Sequence, residues 1–186
     1  MEKEKISNKK TFALKTEQNN TNQTLKGTFV GALIVQDIEG ALEEKHDVIT
    51  SVIGDVVFEN CYIKYLPNLQ KISGNLILKN SKIKYFDHLE TIGGSLMLEN
   101  SEILSVNNLK KIGRNFYLKE SKILWIDNLE TVGGNLMFDD AYLSRIHSLQ
   151  NIEGAWILRD VEIDNMHPHF AKKIAERENQ NEFTNT

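Results

Sequence analysis

Asp127, His147 and His167 share one column of a 20-residue period, with His169, Asp139, Asp140, Asp160 and Asp164 nearby in the chain. Imidazole nitrogens and carboxylates stacked in this way could share a metal ion. Two carboxylates such as Asp140 and Asp160 could divide acid–base work, as in β-helix enzymes that cleave polysaccharides. Tyr65, Tyr85 and Trp125 form a second series, interrupted by Ser105, and aromatic ladders can stack on sugars or bases. In each case the spacing is the period of the whole chain and not a ligand motif. A catalytic constellation usually breaks a repeat to build a cleft, and this repeat is unbroken. There is no Gly-rich phosphate loop and no nucleophile–base pair. The residues therefore predict no catalytic site, no bound metal and no cofactor. Solvated loop positions account for the acidic and histidine series, and lateral packing over a coil accounts for the aromatic one.

Composition narrows the function classes further. Lys+Arg of 22 against Asp+Glu of 26 gives a net charge of −4, with no basic block, which argues against nucleic-acid binding. With 40% apolar residues in 186, the chain suits one domain with a continuous core. Cys61 is the single cysteine and cannot form an internal disulfide. The first ten residues do not resemble a secretion signal, and no apolar stretch is long enough to span a bilayer. The expectation is a cytoplasmic protein of a reducing compartment, without membrane contact.

What must position these side chains is the 20-residue repeat itself, which runs without insertion from Val52 to Phe170. Its blocks begin at Val52, Ile72, Ile92, Ile112, Val132 and Ile152. A constant period in this range means a solenoid whose units bury their faces only against their neighbours. Phe29–Val35 matches Val52–Phe58 at a slightly longer offset, so a further coil is expected there, with a three-residue insertion bulging around Glu43–Asp47. Within each coil, apolar residues flank one position, as in Val56/Phe58, Leu76/Leu78, Leu96/Leu98, Phe116/Leu118, Leu136/Phe138 and Trp156/Leu158. Apolar-x-apolar is the period-two signature of a strand with one face on the core. Further apolar columns run through Ile83, Ile103 and Ile123, through Phe86, Val106 and Ile126, and through Leu89, Leu109 and Leu129. Gly54, Gly74, Gly94, Gly134 and Gly154 precede the strands, where a corner needs positive φ or close approach of neighbouring coils. Arg114 breaks that column and predicts a corner that tolerates a side chain.

Leu96-x-Leu98-x-x-Ser101-x-Ile103 resembles the leucine-rich-repeat core, with Ser in the column where that family places Asn or Cys. The short coil and the run Ile92-Gly93-Gly94-x-Leu96-x-Leu98 are most similar to receptor-L-domain-like repeats. The resemblance covers about residues 29 to 170 and implies a leucine-rich solenoid closed towards a right-handed β-helix. It departs in lacking the family's Asn ladder and the disulfides of extracellular receptors, so no receptor function is implied. Cys61, Ser81, Ser101 and Ser121 could bond free backbone groups at the turn. Ala141 and Val161 could not, so the last coils should turn differently.

The expected organisation is mainly β: a right-handed parallel β-solenoid of about seven coils over 28–170. A flexible polar arm (1–27) precedes it, with Thr11–Leu14 able to dock as a short strand. A capping helix at 168–180, opened by Pro168, and a frayed tail at 181–186 follow.

One column departs from what solvent would select. The central strand residues Ile34, Val57, Ile77, Met97, Tyr117, Met137 and Ile157 point away from the core and are all apolar or aromatic. Strands about 4.8 Å apart would align them in a stripe about 29 Å long. At ~70 Å² each the patch would approach ~500 Å². Its burial would give ~12 kcal/mol gross, against ~4–15 kcal/mol for lost freedom on association. Beside it runs a rim of alternating sign, Glu59, Lys79, Glu99, Lys119, Asp139 and Arg159, with Lys82, Glu102 and Lys122 partly repeating the pattern. Stacked in register, each charge lies between two opposite ones, which penalises a slip of one coil. The expected function is a non-enzymatic binding module whose outward face takes a protein partner or a second copy in a homodimer. A small module of this kind could serve as an inhibitor of a larger complex. The alternative is a carbohydrate-binding or carbohydrate-cleaving β-helix built on the aromatic or acidic series.

Overall fold

The computed structural model describes residues 28–30, 32–36, 49–61, 68–166, 168, 171–172 and 175. The 1–27 arm, the 43–47 bulge and the 181–186 tail lie outside the described residues. Pro168, Ala171, Lys172 and Ala175 are helical, and the rest of the expected cap lies outside as well.

The chain is mainly β and winds into a solenoid of two parallel sheets. One sheet stacks seven short strands in chain order: Thr28–Val30, Ser51–Ile53, Lys71–Ile72, Thr91–Ile92, Lys111–Ile112, Thr131–Val132 and Asn151–Ile152. Seven strands in one column are separated by six turns of the chain. The other sheet stacks Leu33–Gln36, Val56–Glu59, Leu76–Lys79, Leu96–Glu99, Phe116–Lys119, Leu136–Ile146 and Trp156–Met166, with Lys122–Trp125 pairing alongside Leu136–Ile146. Strand partners in the repeat blocks are equivalent positions of successive units, for example Leu98 with Leu118 and Leu118 with Phe138.

The expected inward columns form the core. Leu96, Leu98, Phe116, Leu118, Leu136 and Phe138 are at most 1% exposed, as are Ile103, Leu109, Ile123 and Leu129. Each such side chain is worth about 1.5–3 kcal/mol of burial. The last coil differs: Ile152, Trp156, Leu158, Val161, Ile163 and Met166 are only partly buried. A coil is covered from both sides by its neighbours, and the terminal one has a described neighbour on one side only.

Polar ladders along the corners fix the stacking. Asp55, Asn75, Ser95, Asn115 and Asn135 each offer a side-chain oxygen to the backbone N–H of the equivalent residue one coil on. The Asn75, Asn115 and Asn135 bonds are 2.7–2.8 Å long, and the Ser95 bond to Asn115 is 3.3 Å. These oxygens also explain the glycine column. A Cβ on Gly94 would lie 2.5 Å from Asn75 Oδ1, and one on Gly134 would lie 2.5 Å from Asn115 Oδ1; Gly74 and Gly154 face Asp55 and Asn135 in the same way. Only Arg114 follows a serine, whose shorter side chain leaves room for a Cβ. Arg114 is not in the left-handed region. Close approach therefore governs the column at these positions, although Gly54 does carry φ 148°.

In the six coils from Val56 onward the corner beside the second sheet is left-handed: Asn60, Asn80, Asn100, Glu120, Asp140 and Asp160 have φ between 45° and 50°. Asn and Asp tolerate this conformation best among residues with a Cβ. Asn80 Nδ2 donates to Asn60 Oδ1 at 2.9 Å, and Asn100 Nδ2 to Asn80 Oδ1 at 2.8 Å. The solenoid thus has an asparagine ladder, in a column adjoining the one where the leucine-rich repeats would place it. The serine column supports the same corner: Ser121 Oγ donates to Lys119 O at 2.9 Å, and Cys61 Sγ to Glu59 O at 3.1 Å. Where Ala141 and Val161 replace the hydroxyl, strand pairing continues past the corner as 11-residue segments, but Asp140 and Asp160 keep the left-handed φ of the earlier corners, so the turn itself is not the different one expected.

Candidate protein-binding face

Register places the seven stripe residues in one line: Ile34 pairs with Val57, Val57 with Ile77, Ile77 with Met97, Met97 with Tyr117, Tyr117 with Met137 and Met137 with Ile157. None of them enters the core, because alternation gives that face to their neighbours. Met97 is 38% exposed and the other six are half-buried. Adjacent rungs shield one another, so the patch is smaller than ~70 Å² per residue implies: roughly 300 Å², an ordinary largest patch for a monomer. Its burial is worth ~8 kcal/mol gross, within the cost range of association, so the stripe needs its rim.

The rim follows the same register, Glu59 to Lys79 to Glu99 to Lys119 to Asp139 to Arg159. Lys79 Nζ lies 3.8 Å from Glu99 Oε2, whereas Lys119 turns to Glu120 at 3.5 Å. These pairs are about half exposed and contribute little to stability. They stay available to an opposing surface. In the parallel column Lys82 binds Glu102. On the far side of the stripe the Asp55 to Asn135 ladder is committed to backbone N–H groups.

The residues that suggested chemistry are dispersed: some bond within the fold, some are exposed, and some lie outside the described part. Asp127 is held by both Nε and Nη2 of Arg145, the Nε bond being 2.7 Å. His147 is exposed on the surface, and His167 and His169 are outside the described residues. Asp140 and Asp160 are left-handed corner residues in the asparagine column. Asp164 accepts hydrogen bonds from Tyr142 Oη and, at 3.2 Å, from Ser144 Oγ. The bond to Asp164 raises the Tyr142 pKa above its usual value. Among the described residues no group of three or more His, Cys, Asp or Glu converges as a metal site. Tyr85 and Trp125 are 40% and 38% exposed and flank Ser105. Ser105 between them is 4% exposed, and Tyr65 lies outside the described residues.

The asparagine ladders went unread in the sequence. Asn60, Asn80 and Asn100 recur at the repeat period, and that recurrence was the available signal.

Comparisons with protein-family models, with curated proteins and with solved structures return no match. Among the described residues no helix is long and apolar enough to cross a membrane.

Proposed function

We propose that this chain is a non-enzymatic protein-binding module that presents the stripe Ile34, Val57, Ile77, Met97, Tyr117, Met137 and Ile157 to a protein. The observation that carries this reading is collinearity. Seven outward positions on seven paired strands are all apolar or aromatic, although solvent favours polar residues there. The rungs are held by core packing, by the ladder from Asp55 to Asn135 and by the shorter one from Asn60 to Asn100, so the face is preorganised and little ordering is lost on binding. The alternating rim supplies register against a partner. The single cysteine, Cys61, is free and buried, which fits a reducing compartment such as the cytoplasm. The Leu96-x-Leu98-x-x-Ser101-x-Ile103 core supports kinship with leucine-rich, L-domain-like repeats at the level of the repeat unit.

The test is a comparative capture from the native host. Wild type and the Met97→Lys plus Tyr117→Lys variant are immobilised, and bound proteins are identified by mass spectrometry. The reading expects at least one protein retained by wild type and lost from the variant, with both melting at similar temperature. Identical captures on the two baits would refute it.

A further inference from the structure

We infer that the occupant of this face is a second copy of the chain, packed face to face with the two solenoid axes antiparallel. The inference rests on reading the stripe as a binding face and goes on to name what binds there. It comes from the order of the rim charges. A two-fold axis lying in the face and parallel to the strands keeps the rim column opposite itself and reverses the order of the rungs. The six-rung rim from Glu59 to Arg159 alternates in sign, so reversal sets every charge against its opposite. Glu59 meets Arg159 of the second copy, Lys79 meets Asp139, and Glu99 meets Lys119, each contact occurring twice.

The stripe obeys the same operation: Val57 faces Ile157, Ile77 faces Met137 and Met97 faces Tyr117, with no polar residue set against an apolar one. The competing two-fold, parallel to the solenoid axis, would place the rim against the ladder column on the far side of the stripe. There Glu59 would approach Asp55 and Lys79 would approach Asn75. Asp55 and Asn75 oxygens already accept backbone N–H groups, the Asn75 bond to Ser95 being 2.8 Å. That arrangement pairs like charges at one end and sets Lys79, Lys119 and Arg159 opposite no carboxylate of the second copy. The antiparallel one satisfies all six.

The footprint sets the strength. Six rungs ~4.8 Å apart and five residues at ~3.3 Å cover roughly 450 Å² per copy, ~900 Å² in all. That is below the ~1,600 Å² of a standard interface, so the dimer is weak, reversible and dependent on protein concentration. Because charge pairs guide it, raising salt from about 0.05 to about 0.5 M weakens it about tenfold.

Disulfide trapping distinguishes the orientations. In the antiparallel dimer Ile77 lies opposite Met137 of the second copy, while the two Ile77 residues are three rungs apart, about 14 Å, too far to bridge. Full-length Ile77→Cys and Met137→Cys chains are oxidised separately and as a mixture, with Cys61 buried in both. The expected result is a covalent dimer in the mixture and none in either variant alone. A dimer from Ile77→Cys alone would overturn the antiparallel arrangement. A monomeric mass for wild type at millimolar concentration, with no link in any sample, would overturn the second copy as occupant. That outcome leaves the binding face itself to the capture comparison, which is read independently. As a second arm, Lys79→Glu weakens association about tenfold and adding Asp139→Lys restores it; weakening without rescue overturns the pairing.

Discussion

The coupling between Ser95 and Arg114 gives the sharpest energetic test of how the coils stack. Four ladder residues, Asp55, Asn75, Asn115 and Asn135, are each followed 19 positions later by glycine, because their Oδ1 fills the space a Cβ would need. Replacing Ser95 with Asn puts that oxygen about 2.5 Å from the Arg114 Cβ, as it would be in the neighbouring rungs. Overpacking of this kind costs about 1–3 kcal/mol. Arg114→Gly alone removes the side chain without relieving anything and costs about 0.5–1 kcal/mol in chain entropy. The double variant shortens the 3.3 Å bond to the 2.8 Å of its neighbours, a gain of ~1 kcal/mol that offsets the glycine. The double-mutant cycle should therefore show ~3 kcal/mol of coupling, the relieved overpacking plus the improved bond. Chemical denaturation of the four proteins measures it, and thermal melting should place Ser95→Asn about 5 °C below the double variant. Independent effects, adding to within ~0.5 kcal/mol, would refute the argument that the ladder oxygen excludes the Cβ.

Glu120 is the one long side chain in the left-handed corner column, so Glu120→Asn should stabilise by about 1 kcal/mol and extend the Asn80–Asn100 ladder; an unchanged or lower melting temperature would count against it. Leu98→Ala should cost about 2–5 kcal/mol by denaturant titration and Leu158→Ala under half as much, because Leu98 is fully buried and Leu158 only partly; equal losses would contradict that picture. The Tyr142 phenol donates to Asp164, which raises its pKa, so the bond is intact below the usual range near 10 and is lost as pH rises through the folded-state value. Ultraviolet titration should find Asp164→Asn moving Tyr142 down towards the ordinary range, and no movement would remove the assigned cause.

The inward columns were legible in the sequence because burial leaves a direct mark on residue type: Ile83, Ile103 and Ile123 could be read as core without coordinates. The stripe was legible for the same reason, since a strict period forces equivalent residues of successive coils onto one line. Its area was not. Side-chain shielding between Met97 and its neighbours depends on rung spacing and rotamers, which a flat allowance for each exposed residue overstates. The glycine column was legible as a corner, but its cause was not: only coordinates show that Asn75 Oδ1 occupies the space above Gly94, and that Ser95 releases Arg114 from the rule. Asp140 and Asp160 carry a further requirement that the sequence did not reveal: both occupy the column of left-handed corners, which residue type alone does not distinguish from a solvated loop.

Hydroxyl-radical footprinting of Met97, Tyr117 and Met137 bears most directly on the claim that this solenoid binds through its strand face. In dilute wild-type protein all three should be modified, while the inward Leu96, Leu98 and Phe116 stay intact. At high protein concentration, or with a captured partner, the three should become protected together. Protection appearing elsewhere while these side chains stay fully reactive would contradict the account.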